Sequence, residues 1–222
     1  MTSNLFRAWL LFFPFFLLAM PLNGCGRLPR IIVVKDPLTV EEHLKLGVIY
    51  ESRGETGLAI KEYKRALSIG RGNPDALFFL GNAYFSKNEL KKAGSFYKKA
   101  LDKAGRDFQK KGLLNNNLAW VYIREGSRLE EAERLSKEAI ELDATNSPIY
   151  LDTLGVIYTA MREYALAEQV LLESIRKAPT EDHLLLSEAL MHLSEVYKAL
   201  GLDDKAIEAI KKADEHRQDN KD

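Results

Sequence analysis

GLLNNNLAWVYIRE, residues 112–125, is the stretch that decides how the chain is read. Leu118, Ala119 and Tyr122 stand one and three positions apart. On a helix of ~3.6 residues per turn these steps share one face. The same triplet returns as Leu46-Gly47-Tyr50, Leu80-Gly81-Tyr84, Leu154-Gly155-Tyr158 and Leu193-Ser194-Tyr197. Successive tyrosines are 34, 38, 36 and 39 residues apart, a period of 34 with small insertions. A repeat of that length sets the architecture before any single residue is weighed.

With the Leu at position 7 of a 34-residue unit, position 20 is Ala59, Ala93, Ala132, Ala167 and Ala206, and position 27 is Ala66, Ala100, Ala139, Ser174 and Ala213. Together with position 8, every one of these places holds Gly, Ala or Ser. Small side chains there let two antiparallel helices approach closely, while the Leu and Tyr fill the space between neighbouring units. Thr39 and Glu42 have the spacing of a capping box, Pro74-Asp75-Ala76 suits a first helical turn, and Gly54, Gly126 and Gly201 mark turns.

The pattern resembles the tetratricopeptide repeat family, whose signature is Leu-Gly-x-x-Tyr followed by Ala, an aromatic, Ala and Pro. The resemblance implies an all-α, right-handed α-solenoid of about five helix-turn-helix repeats over residues 40–219, divided at about 40–73, 74–111, 112–147, 148–186 and 187–219. It departs from the signature at position 4, which reads His43, Leu77, Asn115, Leu151 and Leu190, and at Ser136 in position 24.

Ahead of the repeats, Arg7 precedes an apolar run from Ala8 to Leu22 interrupted by Pro14 and Pro21. Fifteen helical residues would reach roughly 22 Å, short of the ~30 Å hydrocarbon core, so the run reads as a secretory signal. Its end, Leu22-Asn23-Gly24-Cys25, resembles the lipobox of bacterial lipoproteins, with Asn23 a departure. That resemblance implies a signal peptide over 1–24 and lipidation of Cys25, the one cysteine of the chain. An ordinary signal peptide with an incidental cysteine, or an uncleaved anchor, are the alternatives. Residues 25–39 read as a tether carrying two prolines. Its Ile31–Val34 segment would pack on the first repeat or pair with a partner as an added strand. Gly26 after the cysteine favours an outer-membrane protein facing the periplasm.

Composition narrows the function. The 222 residues are 46% hydrophobic and 29% charged, as in folded proteins, and 32 basic residues balance 32 acidic ones. No global field calls for nucleic acid. The chain has no His-Glu-x-x-His, no Gly-x-Ser-x-Gly and no phosphate loop. His43, His183, His192 and His216 are scattered in sequence and read as structural or solvated, so neither a metal nor a cofactor is expected. The repeat resemblance instead places function in a concave groove lined by positions 2, 5, 9, 12 and 13 of the first helices. There Phe78, Phe85, Trp120 and Ile123 would make an apolar patch beside Asn82, Asn116 and Arg124, with Asp152 following. Such a patch suits an apolar peptide or helix whose backbone the amides hold. Packing between repeats is the competing use, above all for Phe78 and Ile123.

Trp120→Ala with Asn82→Ala is therefore expected to abolish partner capture at little cost in thermal midpoint. Leu44 and Val48 stand where chaperone-binding members of the family carry a carboxylate clamp, so capture of a C-terminal carboxylate is not expected. Lys103, Arg106, Lys110 and Lys111 form a basic cluster that could touch headgroups or peptidoglycan, but interleaved Asp102 and Asp107 favour a solvated loop. The reading that results is a lipid-anchored, non-catalytic envelope scaffold. In architecture it resembles the pilotin-type lipoproteins that help type IV pilus secretins assemble. An adaptor for cell-wall hydrolases or outer-membrane protein assembly, and an enzyme with an unrecognised site, are the other readings; self-association is left open.

Overall fold

A computed structural model describes residues 36–105 and 108–219, and the described residues from 38 onward group as one unit. The expected lipobox with Cys25, the signal run and the tether lie outside the described residues, as does Arg106. Among the described residues there are ten α-helices and no strand: α1 (Val40–Ser52), α2 (Thr56–Ile69), α3 (Pro74–Ser86), α4 (Leu90–Lys103), α5 (Lys111–Glu125), α6 (Leu129–Leu142), α7 (Ser147–Ala160), α8 (Tyr164–Lys177), α9 (His183–Ala199) and α10 (Asp203–Asp219). Consecutive pairs form five hairpins, each packed on the next. The first helices also touch one another in series, α1 on α3, α3 on α5, α5 on α7 and α7 on α9, whereas no second helix meets the next second helix. First helices therefore line the inner, concave side of an α-solenoid.

Local signals place the ends. Thr39 accepts from the Glu42 amide at 3.3 Å while its own amide donates to the Glu42 carboxylate at 2.7 Å, the reciprocal capping box. Asn73 caps α3 ahead of Pro74, and its side chain accepts from the Ala76 amide at 2.9 Å. α9 begins at His183, capped by Asp182, so the fifth hairpin takes in residues that the sequence period assigns to the fourth unit. Every hairpin turns through a left-handed residue four places after its signature Tyr: Gly54, Asn88, Gly126, Arg162 and Gly201, with φ of 75°, 58°, 61°, 63° and 70°.

Within each hairpin the small residues do the work expected of them. Ala59, Ala93, Ala132, Ala167 and Ala206 are all buried, as are the five residues at position 27. A Cβ on Gly47 would lie 2.2 Å from Tyr63 Cε1, one on Gly81 2.3 Å from Tyr97 Cε1, and one on Gly155 2.4 Å from Leu171 Cγ. Glycine at position 8 is thus the seat for a large side chain at position 24. In the third hairpin those places hold Ala119 and Ser136, a methyl added on one helix where a ring is lost from the other. The methyl refills only part of the space that the ring would occupy. Ser136 is fully buried and donates to the Tyr150 carbonyl at 3.0 Å. His43, at position 4 of α1, is fully buried with Nδ1 2.8 Å from Glu62 Oε2.

Candidate functional site

The concave face is built by α1, α3, α5, α7 and α9, and its composition changes along the array. Between α1 and α3 lies an open trough of about 570 Å³, lined by Leu44, Val48, Ile49 and Phe79 and rimmed by Glu41, Lys45, Asp75 and Lys110. Val48 and Ile49 are 44% and 45% exposed, a large apolar area for a solvated face. Lys110 pairs with Asp75 and sits 5.6 Å above the Phe79 ring, so one ammonium closes the far side of the trough by charge and by cation–π contact.

One hairpin further, a cavity of about 200 Å³ is lined by Asn82, Phe85, Tyr97, Asn117 and Trp120. Asn82 Oδ1 accepts twice, from the Tyr97 hydroxyl at 2.8 Å and from Asn117 Nδ2 at 2.9 Å. This leaves Asn82 Nδ2 as a donor and Asn117 Oδ1 as an acceptor with no partner among the described residues, the two functions that a peptide bond complements. Burial holds the Tyr97 phenol well above its usual range against a smaller opposing effect of the Asn117 amide, so it stays a neutral donor. The Trp120 indole donates to Thr153 Oγ1 at 3.0 Å. At the lower edge the Arg124 guanidinium lies 5.0 Å over the Phe85 ring and donates to Asn88 Oδ1 at 3.0 Å.

Of the residues expected in the groove, Asn82, Phe85 and Trp120 meet in this cavity, Arg124 stands at its edge, and Ile123 is half-buried against the core. Phe78, Asn116 and Asp152 need correction. All three occupy position 5, and they are 7%, 4% and 4% exposed. Position 5 of the middle first helices points between hairpins, not into the groove. Phe78 packs on Phe79 and Tyr97, and Asp152 Oδ1 accepts from His192 Nδ1 at 2.8 Å. The stability expectation for the double variant also changes: removing Asn82 orphans the Tyr97 hydroxyl, and removing Trp120 opens a hole beside Thr153, so both carry a folding cost.

Position 6 was missed. Phe79, Asn117, Thr153 and His192 stand there, and each reaches the neighbouring first helix or the trough. Asn82 to Asn117 and Trp120 to Thr153 are both bonds from position 9 of one repeat to position 6 of the next. A polar or aromatic residue at both places in consecutive units was the available signal. Of the basic cluster, Lys103 ends α4 and pairs with Asp102 at 3.2 Å, Lys110 belongs to the trough, and Lys111 opens α5. Histidines scattered in sequence are not scattered in space, since His183 and His216 meet with Nδ1 atoms 3.1 Å apart.

Comparison with known proteins adds the context. Models of the TPR repeat and of the tetratricopeptide repeat match residues 47–88 and 187–220. The type IV pilus assembly protein PilF of Pseudomonas aeruginosa is 30% identical over 167 residues, which cover 72% of this chain and 64% of PilF. This chain therefore spans less than two thirds of that relative's length. In solved structures the fold is that of PilW, a widely conserved type IV pilus biogenesis factor, with a TM-score of 0.71, 19% identity and coverage of 81% of this chain and 78% of PilW. YrrB, a repeat protein described with an unusual peptide-binding site, superposes with a TM-score of 0.57 at 20% identity, covering 80% of this chain and 86% of YrrB.

Proposed function

We propose, from the premise that this chain carries tetratricopeptide repeats, that it is a non-catalytic scaffold of the bacterial envelope which holds an apolar segment of a partner protein along its first helices. The observation that carries this reading is the trough of Leu44, Val48, Ile49 and Phe79, charged at its rim, leading to the amide pair Asn82 and Asn117. Apolar side chains of the guest would fill the trough, and its backbone would complete the free amide functions. The guest we favour is a secretin subunit of a type IV pilus machine, with the chain held at the outer membrane, facing the periplasm, through a lipid on Cys25. Similarity to PilF supports that choice.

The test is affinity capture from detergent-solubilised envelope with the wild-type chain and a Val48→Ser, Ile49→Ser variant. Both side chains are nearly half exposed, so the variant should unfold at the wild-type temperature. Loss of secretin from the variant eluate, with wild-type melting, is the expected result. Secretin recovered equally with both chains removes the trough from the proposal. Recovery of cell-wall hydrolases in place of secretin transfers the scaffold to a different assembly.

A further inference from the structure

The two imidazoles at the C-terminal hairpin meet nitrogen to nitrogen, a geometry that a shared proton or a shared ion would each hold. His183 is the first residue of α9 and His216 lies in the last turn of α10, 33 positions later. Their Nδ1 atoms approach to 3.1 Å, with ring centroids 5.4 Å apart and planes tilted by 39°. Two neutral rings can hold one proton between those atoms, and two protonated rings repel. A tetrahedral ion at ~2.0–2.1 Å from each nitrogen would set them roughly 3.3 Å apart, close to the spacing found.

A third donor is in place. Asp219 follows His216 by three positions, on the same face of α10, and one ligand atom from each of His183, His216 and Asp219 lies within 4.8 Å of the other two. Asp219 is exposed at the end of its helix, so its carboxylate can swing onto an ion without breaking a packed contact. Asp182, the neighbouring carboxylate, is occupied as the α9 cap, accepting from the Leu185 amide at 3.1 Å.

We infer that His183, His216 and Asp219 form a binding site for a divalent late first-row transition metal, zinc by its ligand set. Two imidazoles and one carboxylate with water in the fourth place is a set that zinc accepts, while Mg²⁺ and Ca²⁺ prefer all-oxygen shells. The site joins the first turn of α9 to the last turn of α10. Among the described residues α9 is the only helix whose backbone packs closely on α10, with α8 reached by side chains such as the Lys205–Glu168 pair at 3.7 Å, so an ion there clasps the helix that has fewest neighbours. Metal binding free energy then adds to the stability of this hairpin.

The experiment uses the purified full chain, stripped with chelator, titrated with ZnCl₂ by calorimetry and with Co²⁺ by visible absorption. One equivalent should bind, raise the thermal midpoint and give the intense d–d bands of tetrahedral Co²⁺. His183→Gln and His216→Ala should each weaken affinity by more than the roughly 10- to 100-fold that losing an outer-shell partner costs. His192→Gln, whose ring faces Asp152, should leave it unchanged. No saturable binding to the wild-type chain, or undiminished one-to-one binding to the His183→Gln, His216→Ala double variant, overturns the assignment. The double variant is changed at partly exposed positions, and its circular dichroism reports whether it folds.

Discussion

At single residues the packing rule is sharp enough to set the sign of a substitution. Gly81→Ala would drive a methyl into the Tyr97 ring, which lies between buried helices and cannot withdraw. We expect a loss of about 1–3 kcal/mol, read as a lower urea midpoint at unchanged slope. Gly57, in the first turn of α2, has open space around its Cβ position, and Gly57→Ala should instead gain up to about 1 kcal/mol. His192 gives a pH dependence. Burial lowers its pKa, but the hydrogen bond and charge of Asp152, with Glu195 and Glu188 nearby, outweigh this and leave it raised. Its folded pKa thus exceeds the unfolded one, so its stabilisation is complete below the unfolded value of about 6.5 and fades as pH rises through the folded value. Melting followed between pH 5.5 and 8.5 should show that decline, and His192→Gln should remove it. The small residues at positions 8, 20 and 27 were legible in the sequence because their spacing repeats in phase. The groove was legible only in part: one residue of error turns a helical side chain by about 100°, which exchanged position 6 for position 5 and hid Phe79 and Asn117 behind Phe78 and Asn116.

Helices and their turns carry a second kind of signal that composition concealed. Gly54, Gly126 and Gly201 announce left-handed turns, but Asn88 and Arg162 occupy the same place with φ of 58° and 63°. Without glycine, the turns after α3 and α7 could be found only by counting four residues from Tyr84 and Tyr158. Arg162 is exposed and has a β-carbon in a region that costs an L-residue roughly 1–2 kcal/mol. Replacing it by Gly also loosens the unfolded chain, which offsets part of the gain. Arg162→Gly should therefore stabilise by up to about 1 kcal/mol. Asn88→Gly should not match it, because Asn88 also accepts from Arg124 at 3.0 Å. Comparing the two variants by denaturant unfolding separates turn strain from the loss of the link to Phe85 and Arg124. A larger gain from Asn88→Gly would mean that this bond contributes nothing at the groove edge.

Across the molecule, stability should be graded along the array because each hairpin meets only its neighbours. α5 packs closely on α3, α4, α6 and α7, whereas the backbone of α10 packs closely on α9 alone. The groove proposed for partners is formed by α1, α3 and α5, and its cavity sits on α3 and α5, each of which packs on four other helices. Opening of α10 breaks one helix interface; opening of α5 breaks four. Amide hydrogen exchange followed by mass spectrometry should show α10 exchanging through local opening at a free energy well below that of α5. Adding ZnCl₂ should slow exchange in α10 and the first turn of α9 and leave α5 unchanged, since a ligand stabilises only the states that keep its site intact. Equal protection of α5 and α10 without metal would mean that the array unfolds as one cooperative block. In that case a clasp at the last hairpin would slow exchange everywhere, and its effect would reach the groove.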